Sequence, residues 1–262
     1  MSASTIGQQI IVNLLATYLY ALGLPLLFSW ALTVINRNTK QLFTNKFGVN
    51  APVYFGALGI ILHELSHLIM ALIFGHRIES FKLLQRATAT PDDPDNLTLG
   101  YVNHRWHSDN SYQVIGNFFI GFAPIVGISL VIFALTAWLL PDVYGNWVTF
   151  AQQPSFGALF HAPVTTIAWG PLTLRLLIWM VLVTNISAGG FDLSQADLKN
   201  SVTGLSTYIL LLGLIGLATG MLSWPIASWF RLHLVPLYLA ISFVVVLSIL
   251  INAMTRLLFK RH

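Results

Sequence analysis

The chain has 262 residues, 56% of them hydrophobic and 8% charged, with a formal net charge of +4 and no cysteine. An ordinary soluble domain carries roughly 25% charged residues, so too little polar surface is left to cover a water-soluble globule, and a disordered chain or a nucleic-acid-binding tail is excluded. Disulfides and thiolate metal sites are excluded with the cysteines, which leaves an all-α polytopic membrane protein in a lipid bilayer.

A helix needs about 20 apolar residues to cross the hydrocarbon core. Uncharged runs of that length predict about six spans, near 14–35, 52–74, 114–140, 167–188, 202–222 and 234–254. The first is read as retained, because no basic residue precedes Arg37 and a signal peptide opens on such residues. The second holds one carboxylate, Glu64. The stretch from 143 to 171 is uncharged but interrupted by Gly, Pro, Gln and Asn, and reads as a loop or re-entrant segment. The fourth holds Arg175, expected to snorkel to an interface or pair within the bundle.

One long polar connection, about 75–112, separates the second and third spans. Residues 77–84 and 97–105 are rich in Ile, Phe, Leu, Tyr and Val and flank the turn-forming run Ala-Thr-Pro-Asp-Asp-Pro-Asp-Asn. This predicts a short β-hairpin. No internal repeat or second domain is visible, so residues 1–262 read as a single integral-membrane domain.

Lys and Arg favour the cytoplasmic side. With six spans and both termini inside, Arg77, Lys82, Arg86, Arg105, Lys199, Arg256, Lys260 and Arg261 are cytoplasmic, and Arg37, Lys40, Lys46 and Arg231 are outside. The reverse orientation inverts those counts. The hairpin and both termini are therefore expected on the cytoplasmic side.

His63-Glu64-Leu65-Ser66-His67 fits H-E-x-x-H. Positions i and i+4 share a helix face, so two imidazoles can hold one metal ion, and the intervening Glu64 can take a proton from a metal-activated water as catalytic base. By composition the motif is expected about 0.002 times in such a chain. A carboxylate inside a span costs a few kcal/mol unless a partner or a watery cavity receives it.

A catalytic zinc usually has three protein ligands and an open position. Once the loop carboxylates and the distant Asp142 are set aside, Asp192 and Asp197 remain. Both lie beyond the fourth span, where Gly189-Gly190 allows the chain to bend or unwind. Asp197 is placed ahead, but Ser194 and Asp197 also have capping-box-like spacing, and Asp192 could itself cap a helix. The loop residues His76, His104 and His107 are expected to be solvated or interfacial, and His161 and His233 to lie on the outer side.

At this point the chain resembles the site-2 protease group of intramembrane zinc metalloproteases, in a divergent bacterial form. The resemblance covers about 52–200. It rests on His63-Glu64-Leu-Ser-His67 in an apolar span, the hairpin after it, the Gly/Pro-bearing run Gly116-Asn-Phe-Phe-Ile-Gly-Phe-Ala-Pro-Ile-Val-Gly127, and a late Asp-bearing segment. It implies Zn2+ held by His63, His67 and a late Asp, with Glu64 as catalytic base. The family's usual Asn-Pro-Asp-Gly or Leu-Asp-Gly core is replaced here by Gly-Phe-Asp192-Leu and Gln-Ala-Asp197-Leu, and the Leu-Ser-x-x-Asp-Leu-Lys run favours Asp197 as third ligand.

The activity so implied is hydrolysis of a peptide bond in or near the transmembrane segment of a membrane protein or peptide. Asn117 and Asn185 are candidates for oxyanion stabilisation, with packing as the plainer role, and the hairpin could add a substrate segment as a strand. Two alternatives stand beside it: a non-proteolytic metal-binding scaffold or regulatory protein, and an ion-coupled transporter built around a broken helix.

Overall fold

The computed structural model of the chain describes residues 3–88, 98–160 and 170–259. In chain order the described elements are α1 (Ala3–Tyr18), α2 (Leu24–Phe47), α3 (Ala51–Ile73), β1 (Arg77–Lys82), β2 (Tyr101–Arg105), α4 (Ser111–Leu139), α5 (Pro141–Gln152), α6 (Leu172–Gly190), α7 (Gln195–Met221) and α8 (Ile226–Phe259). A π-helical turn, Leu19–Gly23, joins α1 to α2 in one apolar segment, Thr5–Phe47. With it, α3, α4, α6, α7 and α8 make six helical segments long and apolar enough to cross a membrane. Side chains such as Leu210 and Leu257 are 68% and 74% exposed, as suits a lipid solvent rather than water. The fold is that of an all-α polytopic membrane protein with a small two-stranded sheet.

The backbone divides into two compact units: Met1–Phe28, Val131–Trp179 and Ser206–Phe243 in the first, and Ser29–Leu130, Met180–Leu205 and Val244–His262 in the second. In the first, the Asn13 amide donates to the Trp224 carbonyl, Tyr20 stacks on Phe230 and Phe28 on Tyr238, so the N-terminal helix runs parallel to α8. In the second, α2 again follows α8 in parallel. Asn252 donates to Asn38, and Phe43 and Phe47 meet Phe259.

These contacts change the expected sidedness. Arg37 and Lys40 were expected opposite Asp192 and Arg256. Instead both cations pair with Asp192, at 3.0 and 3.2 Å, and Arg256 donates to Asn38 at 2.9 Å. Charge counting ranks whole loops and does not see a specific ion pair such as that of Asp192 with Arg37 and Lys40.

Local chemistry explains how α3 is framed. Pro52 sits in its first turn, where no intrahelical N–H is needed. Gly75 ends it in the left-handed region (φ +68°), with Gly75 N–H bonded to the Leu72 carbonyl and His76 N–H to the Ala71 carbonyl. That paired closure turns the chain directly into β1. β1 and β2 pair antiparallel, Ile78 opposite His104 and Lys82 opposite Tyr101, with a bulge at Glu79. The expected hairpin strands are therefore present, and the Asp-rich turn between them lies outside the described residues.

Two local expectations need correction, and the open alternative at Arg175 resolves to a partner within the bundle. The stretch after the third span opens with a helix, α5, started by Pro141 at its first turn. Gly189-Gly190 does not unwind α6. A Cβ on Gly189 would lie 2.0 Å from the Gly56 carbonyl oxygen, and one on Gly59 2.3 Å from that of Ile186, so the glycines let α3 and α6 touch backbone to backbone. Arg175 is buried and donates Nη1–H to the Leu139 carbonyl at 3.1 Å, where the end of α4 leaves an unused acceptor.

Candidate metal centre

All parts of the site belong to the second unit. His63 and His67, one turn apart on α3, are buried, with their ring centroids 4.8 Å apart. Each ring is oriented by a carbonyl that its own helix cannot use. His63 Nδ1–H donates at 2.7 Å to Gly190, the last residue of α6. His67 Nδ1–H donates at 2.7 Å to Ile120 in α4. Four residues on stands Pro124, which has no N–H with which to claim that carbonyl.

A carbonyl only accepts, so both Nδ1 atoms carry the proton, and a neutral ring then keeps a lone pair on Nε2. The two Nε2 atoms are 3.1 Å apart. Asp197 faces them, with Oδ1 3.1 Å from His67 Nε2 and Oδ2 3.6 Å from His63 Nε2. Lone pairs and a carboxylate at such distances repel unless a cation lies among them. Tetrahedral ligation with bonds of about 2.0–2.1 Å separates ligand atoms by about 3.3–3.4 Å, close to these distances. Among the described residues, His63, His67 and Asp197 form a group able to hold a metal ion.

Asp197 also caps its helix. Ser194 N–H donates to Asp197 Oδ2 at 2.6 Å and Asp197 N–H to Ser194 Oγ at 3.1 Å, a reciprocal box at the start of α7. The cap and the metal-facing role use one carboxylate, which the cap holds still. Asp192 is not part of the group. Arg37 and Lys40 hold it, and Arg37 also donates to the Leu193 carbonyl, tying α2 to the segment that carries Ser194.

Glu64 is buried and lies outside that group. A Cβ on Gly100 would lie 2.6 Å from Glu64 Cγ, so the approach to β2 passes the carboxylate at a distance only glycine permits. Glu64 has no hydrogen bond among the described residues. It borders a cavity of about 290 Å³ together with His63, His67, Asp197 and His104, and a second of about 300 Å³ that reaches Arg37 and Asp192. A carboxylate with unused lone pairs beside a cation site and open space is placed to exchange a proton.

The other polar expectations resolve separately. Asn117 is fully buried with neither amide atom hydrogen-bonded among the described residues. Asn185 accepts the Leu58 N–H just past the α3 kink at Gly56. Neither borders the 290 Å³ cavity, which fits packing roles better than oxyanion binding. His233 and His107 are exposed, and His161 lies outside the described residues.

Of the loop histidines expected to be solvated or interfacial, His76 departs from that role: it is only 4% exposed, and its Nδ1 lies 3.0 Å from that of the half-buried His104. Burial lowers the His76 pKa, and the Gln113 carbonyl opposes that shift. Burial, and then His76 and His67, push His104 down to about 4.

No protein-family profile, curated protein or solved structure matches this chain. Sequence reasoning missed Gly100, the Ile120 and Gly190 carbonyls and the His76–His104 pair. Only the first carbonyl left a readable signal, a proline four residues downstream in an otherwise helical run.

Proposed function

We propose that the chain is an intramembrane metallopeptidase of the site-2 protease kind, hydrolysing a peptide bond of a membrane protein or peptide. The observation that carries this reading is the convergence of two imidazole lone pairs and the Asp197 carboxylate at 3.1–3.6 Å, with Glu64 beside them and facing open space. Two imidazoles and a carboxylate suit Zn2+, which when bound polarises a carbonyl and makes a water acidic near neutral pH. His63 and His67 donate their lone pairs, fixed by the Gly190 and Ile120 carbonyls. Glu64 receives the proton of the attacking water and returns it to the leaving amine. Gly100 leaves the carboxylate room, and α3, α4, α6 and α7 shield it from lipid.

Unit composition supports an orientation. Nine of the eleven described Lys and Arg residues belong to the unit that holds the site and the hairpin, and only Arg175 and Arg231 to the other. By the positive-inside tendency the hairpin and the site open toward the cytoplasm. The continuity of α6 through Gly189 and Gly190 favours the metallopeptidase reading over a transporter built on a broken helix.

The test compares cells expressing wild type or Glu64→Gln by sequencing new protein termini in the membrane fraction. The proposal expects termini that appear with wild type and are missing with Glu64→Gln, although the purified variant keeps its metal. Identical termini, with metal bound in both, would support a metal-stabilised scaffold instead.

A further inference from the structure

The strongest feature left unused is the second histidine pair, because its hydrogen bonds fix where every proton sits. His76 Nε2 lies 2.9 Å from the Gln113 carbonyl. That oxygen can only accept, so His76 carries its proton on Nε2, and the neutral ring has a lone pair on Nδ1. The hydrogen-bond partner of that atom is His104 Nδ1, at 3.0 Å. His104 must therefore donate from Nδ1. A neutral His104 then holds its remaining lone pair on Nε2, for which there is no partner among the described residues.

The arrangement is rigid at its far end. Gln113 itself donates to the Gly75 carbonyl and accepts the His107 N–H, and the His76 backbone N–H is part of the closure of α3. His76 and His104 pack together and against Trp106. At its near end the chain of bonds stops at a cavity of about 290 Å³ that His104 shares with His63, Glu64, His67 and Asp197. An imidazole whose only unused atom is an acceptor, on the wall of a metal-binding cavity, matches a ligand that presents an N–H.

We infer that His104 is a substrate-binding residue whose Nε2 accepts a hydrogen bond from a backbone N–H of the peptide held at the metal centre, and that His76 is the positioning residue that fixes its tautomer. This rests on the metallopeptidase reading and narrows its substrate class. The peptide must enter extended, with one backbone N–H free beside the metal, and proline or an N-methylated residue at that position is refused. Burial keeps His104 neutral at physiological pH, so the acceptor persists there.

The test uses the full-length protein in detergent, loaded with Co2+ and titrated by visible absorption with acetohydroxamic acid and with N-methylacetohydroxamic acid. These small probes differ at one N–H. Wild type is expected to bind the N–H compound about tenfold more tightly, the worth of one good hydrogen bond. His104→Phe keeps the ring's bulk without an acceptor and should bring that ratio to about one. His104→Gln retains an acceptor and should keep the preference. His76→Leu leaves the tautomer unfixed and should weaken it, which gives a second variant if the phenylalanine disturbs the fold. An unchanged ratio in both His104→Phe and His76→Leu, with cobalt bound, overturns this inference alone. A wild-type protein that takes up no cobalt, or whose cobalt spectrum no hydroxamate changes, overturns the metallopeptidase reading and this inference with it.

Discussion

The His63 and His67 imidazoles are held by acceptors created by interruptions of helices, a proline in α4 and the end of α6. This gives Pro124→Ala an unusual expected effect. It should restore an N–H that competes for the Ile120 carbonyl, loosen His67, and weaken metal affinity by about 10-fold, within the range for loss of an outer-shell partner. Competition with a chromogenic chelator measures it. The hairpin histidines should make stability pH-dependent. Their folded pKa values are lowered, so between the ordinary value of 6.5 and about 4 the unfolded chain binds more protons. Stability is therefore full above about pH 6.5 and is lost as pH falls through that window. His104→Gln should flatten the dependence of Tm on pH, as differential scanning fluorimetry in detergent would show. At this scale H-E-x-x-H and Asp197 were legible because their chemistry resides in side chains at fixed spacing. Gly190 and Ile120 were not, because a backbone carbonyl looks the same at every position.

Among the elements, α3 and α6 owe their approach to glycines. Gly59→Ala places a Cβ 2.3 Å from the Ile186 carbonyl oxygen, against backbone that cannot rotate away. The expected cost is about 3 kcal/mol, read as a lower Tm together with reduced metal content, because the shift displaces Gly190 from His63. Ser194→Ala should remove about 1 kcal/mol of helix capping and free the α7 start that carries Asp197. The spans and the hairpin strands were legible from apolar run length and from β-forming residues flanking a turn run. α5 was not, since Gly145 and Asn146 within it read as breakers until proline-initiated helix formation overrides them. The Gly189-Gly190 pair misled for a related reason. Glycine permits both bending and close packing, and only the facing Gly56 and Gly59 show which one operates.

For the molecule as a whole, charge counting put Arg37 and Lys40 on the face opposite Asp192, whereas both cations pair with it. The chain has no cysteine, so single cysteines report sidedness cleanly. Asp109→Cys, beside the hairpin, should resist a membrane-impermeant maleimide in intact cells and react after permeabilisation. Gln153→Cys, after α5, should react in intact cells. The reverse pattern would invert the proposed orientation.

The most direct measurement is metal content by inductively coupled plasma mass spectrometry on purified full-length protein. Wild type, Glu64→Gln and Asp192→Ala are expected to hold close to one divalent ion per chain, whereas His63→Ala and Asp197→Ala hold little. Asp197→Ala protein that retains its ion while Asp192→Ala loses it, or a wild type that binds none, would contradict the site described.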